Sequence, residues 1–180
     1  RIGFGQLLIQ YQIDLIDHHQ LADVVQTLVI EKAEEHSYSS RSVIQIPTCY
    51  DPRVAPDLLN LSEQLGLSRS EIVSLHQSET YKVITTGFAP GFAYLAETPS
   101  QLHVPRKKIP LTRIPPGSVA IAENQTAIYP KETPGGWHLI GRTQLQLASV
   151  NNQTISTVLN LGQTVRFVEI SYDQFMSEEE

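Results

Sequence analysis

Arg106, Lys107, Lys108 and Arg113 fall within residues 98–122, a stretch with five prolines and no acid. In a chain with 19 acids against 13 bases, this run reverses the local sign of charge. Guanidinium groups grip carboxylates and phosphates bidentately, and ammonium groups act as point charges. The run therefore has the chemistry of an anion site. The plainer alternative is a proline-stiffened, solvated loop whose charge only aids solubility, and sequence alone leaves both open. Nearby, Ser118, Gln125 and Thr126 add neutral donors and acceptors. His138 offers an imidazole and Arg142 another guanidinium. Phe88, Pro90, Gly91, Phe92, Tyr94 and Trp137 would line an apolar pocket beside the cations, although Phe88 and Phe92 read more readily as core. Gly135 and Gly136 would let the backbone approach a ligand. The acids between residues 87 and 143 are Glu97, Glu123 and Glu132 alone. A self-contained pair of catalytic carboxylates is therefore not expected, and Asp57 or a partner would have to supply a base.

These residues all lie in or beside residues 87–143, which hold eight of the eleven prolines, six of the ten glycines and the only tryptophan. Such density rules out long helices and leaves short strands joined by shaped loops. Strands are expected at 80–86, 119–121, 126–129, 138–140, 144–147 and 164–170, with a hairpin turning at Glu123 and Asn124 and a polar turn at 150–157. An all-β region with short strands is best protected by a closed or nearly closed barrel.

The preceding residues read differently. Leu7 to Tyr11 suggests a strand. Asp17 and Gln20 form a capping box, and Leu21, Val24, Val25, Leu28 and Val29 make one helix face. Polar residues 36–41 suit a linker, and a strand from Val43 should stop at Pro47. Residues 56–76 resemble a helix-turn-helix, with a second capping box at Ser68 and Glu71. Its second helix offers only Arg69, and residues 57–80 carry four acids, so two packing helices are expected rather than a nucleic-acid reader. The net charge of −6 points the same way. The lone Cys49 permits no internal disulfide, suits a reducing cytoplasm, and reads as buried and inert. No apolar run is long enough to span a bilayer. Phosphate-loop, dinucleotide, H-E-x-x-H and G-x-S-x-G strings are absent. The expected fold class is α+β. Residues 1–40 form half of a small α+β domain, residues 41–172 an all-β barrel with two short helices, and residues 173–180 an acidic tail. An opening on Arg1 fits a piece of a longer protein.

Five linked strings carry a resemblance. G-F-A-P-G-F-A-Y-L (87–95), V-P-R-K-K (104–108), P-P-G-S-V-A-I-A (115–122), Q-T-A-I-Y-P (125–130) and P-G-G-W-H-L-I-G-R-T (134–143) are similar to the B-subunit family of 5-oxoprolinase. That family is also called KipI or allophanate hydrolase subunit 1. The resemblance runs from about residue 46 to residue 170 and more weakly through the first forty. It implies a cyclophilin-like barrel and a cytoplasmic subunit. With a second, allophanate hydrolase subunit 2-like subunit, such a chain would use ATP (with Mg at the level of the complex) to phosphorylate and open 5-oxoproline to glutamate. Relatives include an inhibitor of a sensor histidine kinase and half of a biotin-dependent urea carboxyltransferase, so both remain alternatives. The resemblance gives Arg106, Lys107 and Arg113 a role toward phosphate or substrate carboxylate. It departs at Leu111, where the family repeats a Pro-Arg pair, and at Glu123, Asn124 and Ala127, where the family favours glycine.

Overall fold

The computed structural model describes residues 2–3, 6–35, 42–151 and 154–177. It divides into two units, residues 1–42 and 43–180. In the first, β1 (Ile2–Gly3) pairs antiparallel with β2 (Gln6–Leu7), and α1 (His18–Glu35) follows. The expected strand through residue 11 is not found: regular pairing ends at Leu7, and Leu8 is exposed. The capping box is present, because Gln20 N–H donates to Asp17 Oδ1 at 2.9 Å and Asp17 N–H to Gln20 Oε1 at 3.2 Å. These bonds satisfy main-chain donors that a helix start leaves unpaired. The expected linker at 36–41 lies outside the described residues.

The second unit opens with β3 (Ile44–Thr48), the helices α2 (Leu58–Leu65) and α3 (Arg69–Ser78), and then β4 (Tyr81–Thr86) and β5 (Ala93–Ala96). Five short strands follow: β6 (Leu111–Ile114), β7 (Ser118–Ala122), β8 (Gln125–Ile128), β9 (Thr133–Gly135) and β10 (His138–Arg142). The chain continues through β11 (Ala148–Asn151), β12 (Thr154–Thr157), β13 (Thr164–Glu169) and α4 (Tyr172–Ser177).

Seven of these strands form a barrel in the order β10-β7-β8-β5-β4-β13-β3, antiparallel throughout except for β13 with β3. The two edges meet where Cys49 and Arg142 exchange main-chain hydrogen bonds of 2.8 Å in both directions. This closes the sheet on itself. β3 runs through Pro47 rather than stopping there, since it pairs along its length with β13 alone and an edge strand tolerates a missing N–H.

Strand alternation builds two cores. Val119, Ile121, Ile128, Leu95, Val83, Val165, Phe167, Ile46 and Ile140 fill the barrel. The helices α2 and α3 add Leu58, Leu61, Ile72 and Val73 to that core. The expected Ser68–Glu71 capping box is formed, and Gly66 ends α2 in the left-handed region at φ 67°. On the other sheet face, Ala120, Ala122, Ala127, Tyr129 and Leu139 gather with Phe92, Ile114 and Trp137. The ribbon of β6 and β9 supplies Ile114 and Leu111 to this second core, which explains why every residue of β7 is buried. The small alanines leave room for the large rings.

Three local expectations need correction. Residues 144–147 are not a strand. The polar segment at 150–157 is not a simple turn but part of a second ribbon, β11 with β12. Most of its residues are polar and its Val150–Ile155 pair is exposed, because the ribbon is solvated rather than unpaired. The acidic tail is helical over α4. Ser171 and Gln174 cap it reciprocally, and Phe175 is buried. The α+β class and the barrel stand as expected. Among the described residues no helix is long and apolar enough to cross a membrane.

Candidate functional site

The cationic loop is pinned to the turn between β9 and β10. Lys107 N–H donates to the Gly136 carbonyl at 2.7 Å, and His138 Nε2 donates to the Pro105 carbonyl at 3.0 Å. The Arg106 guanidinium stands 5.9 Å from the Trp137 ring centroid, within range of a cation–π attraction. Gly135 is required by packing, because a Cβ there would run into Tyr129 and Ile114. Burial pushes the Tyr129 phenol up to about 12, against a main-chain hydrogen bond at Trp137 that lowers it. Tyr129 is therefore a neutral wall at neutral pH.

Asp57, at the start of α2, reaches the same loop. Its carboxylate lies 2.6 Å from Lys107 Nζ, and its Oδ2 accepts from Leu139 N–H at 2.7 Å. Asp57 N–H donates in turn to the Leu139 carbonyl at 3.2 Å. Both charged side chains are largely buried, 15% exposed for Lys107 and 12% for Asp57. A carboxylate committed in this way is a strut rather than a free base. Sequence offers Asp57 only as the source of a missing base, and no spacing rule joins residues fifty apart. The pair also changes the electrostatics of the loop. Lys107 is neutralised, whereas Arg106 and Lys108 are exposed and have no ion-pair partner among the described residues. Arg113 pairs with Glu132 across the β6–β9 ribbon at 2.9 Å, in the open. Its charge is spent there.

The two ends of residues 87–143 meet through rings. Phe92 lies 6.3 Å from Trp137 and Tyr94 lies 5.9 Å from it, centroid to centroid. Phe92 also contacts Tyr129 at 5.3 Å and Phe88 at 5.2 Å. Phe92 and Trp137 are buried, whereas Phe88 is 65% exposed. Beyond Phe92 a surface pocket of about 430 Å³ is lined by residues 86–92 together with Thr157, Leu159 and Asn160. Phe88, Pro90, Gly91 and Phe92 line this pocket, while Tyr94, Gly135, Gly136 and Trp137 do not. Sequence reasoning missed Thr157, Leu159 and Asn160, which come from the far end of the second ribbon.

The remaining candidates sit elsewhere. Arg142 Nε donates to the Pro116 carbonyl at 2.9 Å, beside the barrel seam. Gln125 begins β8 next to the Glu123–Asn124 turn. Thr126 points into the barrel, where its hydroxyl donates to the Ala120 carbonyl at 3.1 Å and lies 2.9 Å from His76 Nε2. With that hydroxyl proton on Ala120, Nε2 carries the imidazole proton, and Nδ1 accepts from Tyr50 Oη at 2.8 Å. His76 is fully buried, and desolvation lowers its pKa to about 3. Among the described residues no group of three His, Cys, Asp or Glu could hold a metal ion.

Several known proteins are similar to this chain. A 5-oxoprolinase B subunit of Bacillus subtilis is 40% identical over 147 residues, which cover 82% of this chain and 60% of the relative. One from Escherichia coli is 44% identical over 139 residues, covering 77% and 62%. The chain thus spans about three fifths of the curated relatives it matches. A conserved uncharacterized protein from Pyrococcus horikoshii has the same fold, with a TM-score of 0.70 at 30% identity over 92% of this chain and 74% of that one. The family described as carboxyltransferase domain, subdomain C and D, matches residues 1–158. On these grounds the chain belongs to the carboxyltransferase C and D subdomain family.

Proposed function

We propose that the chain is the barrel-bearing part of a 5-oxoprolinase subunit that works with a second subunit to open 5-oxoproline to glutamate in an ATP-dependent reaction in the cytoplasm. The observation that carries this reading is the pair of exposed, unneutralised cations, Arg106 and Lys108, held on a rigid turn in a chain whose relatives are named as B subunits of 5-oxoprolinase. Opening the lactam adds water across its C–N bond. ATP, when bound, supplies the activation that a stable amide requires, with Mg held by its phosphates and the complex rather than by this chain. Arg106 and Lys108 would hold the phosphates or the substrate carboxylate through charge-assisted hydrogen bonds. Lys107 and Asp57 would fix the loop that presents them. Because Asp57 is committed to Lys107 and Leu139, the base that moves the water proton is assigned to the second subunit.

The test is to purify the full-length protein with its second subunit and measure ADP and glutamate formed on addition of 5-oxoproline. Coupled release of both supports the reading. Absence of turnover with a folded complex, or inhibition of a sensor histidine kinase by the protein alone, would replace it.

A further inference from the structure

Residues 83–96 and 143–165 contain no Asp, Glu, Lys, Arg or His, in a chain with 19 acids and 13 bases. The fold brings these two stretches together. Gly91 has φ 83°, and a Cβ on it would stand 2.9 Å from Ala148 Cβ and 3.0 Å from the Leu147 carbonyl, so the loop after β4 is seated against the start of β11. Across the ribbon Ala148 pairs with Thr157, and Val150 with Ile155. Side chains two residues apart share a face of a strand. Val150 and Ile155 therefore extend the face that Ala148 turns to the loop, and they lie 70% and 52% exposed. On the loop itself the Phe88 ring is 65% exposed, on a backbone held at a left-handed φ of 68°. Strain of that kind persists where the surroundings fix it, and the seating of Gly91 supplies the fixing. The pocket of residues 86–92 with Thr157, Leu159 and Asn160 joins loop to ribbon, and none of its lining side chains is charged.

Among the described residues β11 and β12 pair only with each other, so both outer edges of the ribbon are open. Exposed edges are usually blunted by lysine, proline or inward-pointing charge. The segments A-S-V-N (148–151) and T-I-S-T (154–157) carry none of these. Depletion of charge around an exposed aromatic ring is the composition of an interface core. Charge also bears on what covers the face. Two copies of this chain would meet with a net charge of −6 each, and self-repulsion opposes that pairing. A different chain is not bound to that charge, and the reaction as read above needs one to stay docked, because it supplies the base. We infer that Phe88, Val150 and Ile155 form the face on which the second subunit docks, through an uncharged, apolar surface of its own. This rests on the reading above that the chain works with a second subunit.

Calorimetric titration of the full-length protein with its second subunit tests the assignment. Val150→Asp and Ile155→Asp each place a charge at an exposed position. Either should weaken association more than about thirtyfold and leave the urea midpoint close to the parent's. Phe88→Ala should weaken it about tenfold. Leu59→Asp, at a leucine of α2 that is 59% exposed and outside this face, should leave association unchanged. Association that survives Ile155→Asp, or that Leu59→Asp weakens as much, overturns the docking face. So does a chain that sediments alone as a dimer and that Ile155→Asp makes monomeric, because the face then belongs to a second copy. The same variants in the turnover assay separate the two ideas. Full 5-oxoproline turnover by a complex indifferent to Ile155→Asp removes the docking face and keeps the subunit reading. Ile155-dependent association without turnover keeps the docking face and removes the 5-oxoprolinase reading.

Discussion

Asp57 and Lys107 hold each other at 2.6 Å across fifty residues of sequence, and the same carboxylate takes the Leu139 amide. One side chain thereby ties α2, the cationic loop and β10 together. Deleting one member of a buried ion pair leaves the other charge uncompensated, which is costlier than the pair's net worth. Asp57→Ala should therefore lose about 3 kcal/mol of stability in urea unfolding. Replacing both in Asp57→Asn/Lys107→Met should lose less than Asp57→Ala alone, because no buried charge is stranded.

Arg106 and Arg113 are equivalent in sequence and not equivalent in the fold. Arg113 is an exposed partner of Glu132, and such pairs contribute about 0–1 kcal/mol. Arg113→Ala should leave activity and urea midpoint close to the parent. Arg106→Ala removes an uncommitted guanidinium, and a lost charge-assisted bond of about 1.5–3 kcal/mol should cut kcat/KM about ten- to a hundredfold without moving the midpoint. An Arg106→Ala enzyme with full activity would take Arg106 out of the site.

The barrel was legible because its signals are local. The runs 119–121 and 126–129 flanking the Glu123–Asn124 turn, the Ser68–Glu71 box and the glycine at 66 each specify a conformation within a few residues. What sequence missed is set by partners far away. The ribbon of β11 and β12 carries its apolar cross-strand pair, Val150 and Ile155, exposed, so it has no buried face for a periodicity argument to find. Phe175 turns an acidic end into a docked helix through one burial event. The charge run at 98–122 was visible, but its division into a neutralised Lys107, a paired Arg113 and uncommitted Arg106 and Lys108 depends on Asp57 and Glu132, which no spacing connects to it. The pocket depends on Thr157, Leu159 and Asn160 in the same way.

The seam of the barrel has one tight point. A Cβ on Gly141 would stand 2.8 Å from Thr48 Cγ2 and 3.0 Å from the Cys49 carbonyl, beside the main-chain pair that joins Cys49 to Arg142. The backbone must shift to admit it, and overpacking of this kind costs about 1–3 kcal/mol. Gly141→Ala should lower stability in urea by that amount. It should also speed amide hydrogen exchange at Cys49 and Arg142 more than at Ala120 or Ala127, deeper in the sheet. Uniform exchange across all four would place the weak point elsewhere.

His76 gives the fold a defined acid limit. Burial holds its imidazole at about 3, against 6.5 for the ordinary group. The folded state therefore keeps it neutral while the unfolded chain takes up its proton below 6.5. The sign follows: its contribution is fully present above pH 6.5 and is lost as pH falls from there toward 3, at about 1.4 kcal/mol per pH unit. The carboxylate of Asp51, held near 2 by its bonds to Arg53, adds its own acid dependence only below the usual carboxylate range. Between about pH 6.5 and 5 the slope should therefore belong mainly to His76. In His76→Gln, which can still reach Tyr50 or Thr126, stability at neutral pH should fall and the slope across that window should flatten. Urea unfolding at half-unit pH steps reads both, and an unchanged slope would show that another group carries the acid dependence.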